Sequence, residues 1–132
     1  MNAAASIQQR IKGMFPELIG MEFVEAGPDL VTAKLKVRAD LCTGGSILHG
    51  GAIMAFADTI GAVGTILNLP EGAGTATIES KTNFFRPAPV GSEVSGRCTA
   101  LHKGKRTMTW QTTITSAEGK LVAVVTQTQM VF

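Results

Sequence analysis

The sequence predicts an α+β fold in which an antiparallel sheet of about six strands curves around one long apolar helix. Three observations predict it. Residues 49 to about 67 carry Ala, Ile, Met and Phe nearly all round a helical wheel, so this helix needs cover on most of its sides. Two segments of strand character precede it and four follow. Turn signals at Gly27-Pro28-Asp29 and at residues 117–120 join neighbouring strands directly. An antiparallel sheet with one apolar helix to cover is an α+β layout.

Each element follows in order. Residues 1–17 form an N-terminal helix and its lead-in. Within them "SIQQRIKGMF" reads as a short amphipathic helix capped by Ser6, with Ile7, Ile11 and Met14 or Phe15 on one face. Pro16 breaks it. "LIGMEFVEAG" and "LVTAKLKVR" read as strands. The second sets Val31, Ala33, Leu35 and Val37 against Thr32, Lys34, Lys36 and Arg38. "ADLCTGGSIL" is a loop. The long helix follows, with Gly61 and Gly64 permitting close approach of a neighbouring backbone. "LPEGAG" ends it. Strands are expected at 74–86, 92–102, 106–116 and 120–132, with Met108, Trp110 and Ile114 on one face of the third of these.

The composition excludes several function classes. The 132 residues suffice for one domain, 1–132, with a real core. At 45% apolar and 17% charged, with a net charge of +2, the chain is folded and only mildly basic. No Lys/Arg run or basic helix face suggests nucleic acid. The apolar run 52–69 holds Asp58, Thr59, Thr65 and Asn68, which argues against a membrane span. No signal peptide is evident, and Cys42 and Cys98 fit no metal spacing, so they read as ordinary thiols in a cytoplasmic protein.

The chemistry centres on "ILHGGAIMAFADTIGAVGTIL". Asp58 is the one Asp, Glu, Lys or Arg between Leu41 and Pro70. A carboxylate in apolar surroundings either has a structural partner or performs chemistry. His49-Gly50-Gly51 opens the same helix. Amides at a helix start lack intrahelical partners, and glycines let a ligand come close. Such N–H groups suit a carbonyl oxygen that gains negative charge, while a carboxylate serves as nucleophile or general base. These parts suffice for acyl transfer without a metal, a cofactor or a serine triad. Each part also has a plainer reading: Asp58 as a buried structural acid, His49 as a packed or capping residue, the glycines as packing residues.

Spacing adds a constraint. Gly50 and Asp58 are separated by about 12 Å along one helix axis at 1.5 Å per residue. One carbonyl cannot meet both on the same helix. Two helices paired antiparallel across a two-fold axis would bring each Asp58 to the other chain's Gly50, so the motif predicts a homodimer with shared sites.

"LHGGAIMAFADTIGAVGT" resembles the signature of hotdog-fold acyl-CoA thioesterases of the phenylacetate-degradation type. "GTATIESKTNFFRPAPVGSEVSGRCTAL" and "HKGKRTMTWQTTITSAEGKLVAVVTQTQMVF" resemble that family's later strands, so the likeness runs from about residue 18 to 132. The resemblance implies the hotdog fold, a CoA thioester substrate, no cofactor, and dimers that commonly pair into tetramers. It implies that Asp58 is the catalytic carboxylate and that the Gly50 amide polarises the thioester carbonyl. His49 would lie near the thioester sulfur, and Thr77 would stand beside the carboxylate and help place water. Relatives usually carry Asn or Gln six residues before the histidine. Thr43 stands there instead, and a hydroxyl lacks the two N–H donors of an amide.

Coenzyme A carries phosphates, so basic residues are expected near its entrance: Arg86 in "FFRPAP", and Lys103, Lys105 and Arg106 in "HKGKR", with Gly51 as a further ligand contact. Turn lysines also have the plain reading of solvated charges. Glu79 is a second acid candidate, placed by strand alternation on the face of Thr77, or else paired with Lys81 or a neighbouring strand. Two alternative functions share the fold: a hydratase or dehydratase of acyl thioesters, and a non-catalytic acyl-CoA-binding module.

Overall fold

In the computed structural model, which describes residues 2–132, two short helices lead into the sheet. Helix α1 (Ala3–Arg10) and helix α2 (Phe15–Leu18) precede β1 (Glu22–Ala26) and β2 (Leu30–Lys36). A 3-10 turn (Ala39–Leu41) and a small hairpin, β3 (Cys42–Thr43) and β4 (Ile47–Leu48), then lead to the long helix α3 (Gly50–Ile66). Four strands complete the chain: β5 (Thr75–Phe84), β6 (Glu93–Lys103), β7 (Thr107–Ser116) and β8 (Leu121–Val131). The six long strands form one sheet in the order β1-β2-β6-β7-β8-β5, antiparallel at every step. This is the hotdog layout expected above, with α3 packed against the inner face of the sheet.

The start of the chain departs from expectation. Asn2, not Ser6, caps α1: its Oδ1 accepts from the Ala5 amide at 2.8 Å. A side-chain oxygen caps best just outside the helix, and Asn2 holds that place. The chain leaves α1 through Gly13, whose φ of 77° favours glycine. Pro16 does not break the helix; it sits in the first turn of α2, where its fixed φ and missing N–H cost little. Ile7 and Ile11 are buried as expected, but Met14 and Phe15 are both exposed. Gln8 lies against the edge of β1. Its Nε2 donates to Met21 O at 2.9 Å and its Oε1 accepts from Phe23 N at 2.8 Å.

The core lies between α3 and the sheet. Val31, Ala33, Leu35 and Val37 are buried, matching the alternation of the sequence. They meet Ile53, Phe56, Ala57, Ile60 and Val63 of the helix, with Trp110 and Ile114 from β7. Gly61 and Gly64 do permit close approach, though side chains rather than a backbone exploit it. A Cβ at Gly64 would stand 3.0 Å from the Trp110 ring, and one at Gly61 would overlap the Gln127 amide. Trp110 Nε1 donates to Thr65 Oγ1 at 2.8 Å, so the buried indole is satisfied.

The sheet does not cover all of α3. Gly51, Met54, Asp58, Ala62 and Ile66 form a stripe that is exposed or half-buried. Asp58 stands at its middle, surrounded by apolar and small residues. Among the described residues, no helix is long and apolar enough to cross a membrane. Cys42 and Cys98 are both free thiols, and burial pushes the Cys98 thiol up to about 11.

Candidate active site

The site starts from the N-terminus of α3. His49 is its N-cap, and the imidazole Nδ1 accepts from the Gly51 amide at 2.7 Å. The capping reading of His49 therefore holds. It has a chemical consequence: with Nδ1 accepting, the neutral ring carries its proton on Nε2 and offers a donor away from the helix. Gly51 is affected too, because its amide is used by His49, so a ligand role for Gly51 does not run through that N–H. The Gly50 amide has no acceptor among the described residues. It is the orphan donor that a helix start leaves.

Gly50 opens onto a cleft of about 480 Å³, which it lines together with Thr43, Ile47, Ile53, Phe84 and Arg86, among others. The β3–β4 hairpin brings Thr43 here, through a turn in which Gly45 and Ser46 have φ of 82° and 56°. Phe84 ends β5 and lies close over Gly50. Arg86 follows it, and its Nη1 donates to Leu121 O at 2.7 Å, leaving its remaining N–H groups toward solvent. The structure thus brings Gly50, Thr43 and Arg86 together.

Asp58 lies elsewhere, two turns along α3, half-buried, with β5 alongside. Thr77 Oγ1 donates to its Oδ1 at 2.6 Å. The neighbouring contacts were not visible in the sequence reading. Gln129 Nε2 donates to Thr77 Oγ1 at 2.7 Å and to Gln127 Oε1 at 2.6 Å. Gln127 Nε2 in turn donates to the carbonyl of Ala57 at 2.8 Å. Both glutamines are fully buried. A signal for them does exist: on β8 the inward set Ala123, Val125, Gln127, Gln129 turns from apolar to amide in mid-strand.

Glu79 does not share the face of Thr77. Thr77 pairs with Gln129 but Glu79 pairs with Thr128, because Ile78 is an extra residue squeezed out as a bulge. Gln129 faces the helix and Thr128 the other side, so Glu79 points away from Asp58. Lys81 does not pair with it either; its Nζ donates to Asn83 Oδ1. Lys103, Lys105 and Arg106 lie at the β6–β7 turn rather than in the cleft with Arg86. Lys103 is held there by Asp29, with N and O 2.7 Å apart.

Comparison with known proteins places the chain in a family. The model of the family described as "Thioesterase superfamily" matches residues 45–123, a span containing His49, Gly50, Asp58 and Thr77. The chain is 30% identical over 108 residues to the proofreading thioesterase EntH of Cronobacter turicensis, covering 82% of this chain and 78% of that one. Its fold superposes with a TM-score of 0.93 on thioesterase HI1161 from Haemophilus influenzae, at 28% identity, covering 100% of this chain and 92% of that one. A mutant of the phenylacetic acid degradation protein PaaI from Thermus thermophilus superposes with a TM-score of 0.81 at 29% identity, covering 88% and 96%. A match over more than half of the chain establishes that the chain belongs to the thioesterase superfamily.

Proposed function

We propose that the protein is an acyl-CoA thioesterase whose active sites are each built from two chains. Water and the thioester are converted to a carboxylic acid and free CoA. The observation that carries the reading is the division of labour along α3. The free Gly50 amide and the Thr77-bound carboxylate of Asp58 stand about 12 Å apart on one helix, too far to serve one carbonyl. A second copy, with its α3 antiparallel, would bring the partner's Asp58 to the Gly50 amide.

The surface supports that arrangement. The uncovered stripe of α3 flanks β5, which is an edge strand of the sheet. Ile78 on β5 is 56% exposed and Met54 on the stripe 39%, and Phe84 and Phe85 are exposed beside them. Apolar area of this kind on a small chain marks an interaction surface.

In the shared site each residue has a chemical task. The Gly50 N–H, at the positive end of the helix, stabilises the oxygen of the thioester carbonyl as it gains negative charge. Asp58 acts as the nucleophile or as the base that activates water. His49 offers Nε2–H toward the thioester sulfur, and Thr43 shapes the wall opposite. Arg86, at the rim of the cleft, takes a phosphate of CoA through the N–H groups it does not use on Leu121. Lys105 and Arg106 add positive charge at the β6–β7 turn. The two free thiols suit a reducing compartment such as the cytoplasm.

Asp58→Asn tests the reading. It keeps the shape and the Thr77 contact while removing the charge. Release of free thiol from a panel of acyl-CoA esters should fall by roughly 100-fold or more in kcat. Turnover near that of the wild type would overturn the mechanism.

A further inference from the structure

We propose that Gln129 is a positioning residue for the Asp58 carboxylate, acting through the Thr77 hydroxyl, with its direction set by the backbone carbonyl of Ala57. The inference rests on the reading of Asp58 as the reacting carboxylate and deepens it.

The direction of every bond in this chain follows from one group. A backbone carbonyl can only accept, so the atom of Gln127 at 2.8 Å from Ala57 O is its Nε2. Its Oε1 then faces Gln129, and an oxygen 2.6 Å away requires a donor. Gln129 must present Nε2. Turning either amide over would set two oxygens against each other. The second proton of Gln129 Nε2 goes to Thr77 Oγ1 at 2.7 Å, while Gln129 Oε1 accepts from Thr75 Oγ1 at 3.2 Å. Thr77 has a single hydroxyl proton. With Gln129 donating to its oxygen, that proton is directed to Asp58 Oδ1, 2.6 Å away.

The chain therefore leaves the backbone of α3 at residue 57 and returns to the side chain at residue 58. Gln127 is 1% exposed and Gln129 0%, so water does not compete for the bonds of the two amides to each other and to Ala57 O, while the Thr77–Asp58 bond lies at the surface. Burying two amides stabilises a fold no better than an apolar pair of the same volume would. What the amides supply, and an apolar pair does not, is a hydroxyl whose rotor is fixed on one carboxylate oxygen. Oδ1 is held by Thr77, and Oδ2 has no partner among the described residues. Oδ2 is the oxygen left to meet water or the thioester.

Kinetics of Gln129→Met, Thr77→Val and the double variant test the relay by thiol release. Gln129→Met should lower kcat about tenfold while KM stays within about twofold, because the defect lies in orientation and not in binding. In the Thr77→Val background, adding Gln129→Met should lower kcat no further. Gln127→Met/Gln129→Met removes both amides at similar volume, and it keeps the test alive where the single variant fails to fold. It should show the same kcat loss, with circular dichroism and thermal melting reporting the folded fraction.

An additive loss in the double variant, or a wild-type kcat in folded Gln127→Met/Gln129→Met, overturns the relay. Asp58→Asn, assayed alongside, separates the two levels. If it is inactive while the folded amide variants work normally, the relay alone falls. If it turns over at the wild-type rate, the reading of the site falls and the relay with it.

Discussion

Asp58→Asn and Gly50→Pro, each inactive alone, should restore about a quarter of wild-type turnover when their subunits are allowed to exchange. The size of the effect follows from the helix. The amide and the carboxylate are eight residues apart, about 12 Å at 1.5 Å per residue, against the roughly 3 Å that one hydrogen-bonded carbonyl allows. In a mixed dimer one site takes Gly50 from the Asp58→Asn chain and Asp58 from the Gly50→Pro chain, and is intact. The other collects both defects. Random exchange makes about half of the dimers mixed, each with one working site of two. Gly50→Pro suits the purpose because Gly50 is the first residue of α3, where proline is well tolerated and the lost N–H has no partner in the fold. His49, at φ −62° and ψ 136°, already has the extended backbone that precedes a proline. The added ring meets the Phe84 side chain, 3.2 Å from a Cβ at Gly50, so Phe84 must give by a few tenths of an ångström. The assay is thiol release after exchange, with mass spectrometry counting mixed dimers. Mixed dimers without activity would refute the shared site.

Three further outcomes are expected. Arg86→Ala should raise KM for acyl-CoA severalfold and leave KM for a truncated acyl-pantetheine nearly unchanged; an equal rise for both would make Arg86 a structural residue, through its bond to Leu121 O. Gly61→Ala should destabilise the protein by about 1–3 kcal/mol, read as a lower Tm, because its Cβ would overlap the buried Gln127 amide. Cys98 should resist thiol reagents in the folded protein and react only on unfolding, while Cys42 reacts in both states. With the Cys98 thiol at about 11 against an ordinary value of 9.0, the unfolded chain loses this proton first, so stability should fall as pH rises from about 9 toward 11.

The parts legible in the sequence were those set by neighbours along the chain. β2 showed itself because Val31, Ala33, Leu35 and Val37 alternate with polar residues, and α3 because its apolar run exceeds any strand. Gly50 and Asp58 could be compared because both ride one helix of known rise. What stayed hidden depends on cross-strand register. The bulge at Ile78 reverses the side on which Glu79 lies, and alternation alone cannot foresee an extra residue. Gln127 and Gln129 gain meaning only where β8 meets α3 and β5, 70 residues away for Ala57 and 52 for Thr77. At the N-terminus, Asn2 and Ser6 are both capping types, and the helix starts one turn earlier than the Ser6 reading places it, at Ala3, with Ile7 and Ile11 buried as that reading also requires.

The two margins of the sheet are built differently, and the difference bears on how many copies can join. On β1, the Gln8 carboxamide takes up Met21 O and Phe23 N as a strand residue would, the ladder slips between Phe23 and Glu25, and Glu22 and Glu25 stand exposed. Plugged amides, a bulge and charge all discourage a newcomer strand. β5 too has a bulge, at Ile78, and exposed charge at Glu79 and Lys81, but among the described residues no side chain takes up its backbone as Gln8 does on β1. A sheet open on both sides could recruit chain after chain into a fibre. With the β1 margin closed by Gln8, the β5 margin is the one left free to meet another strand.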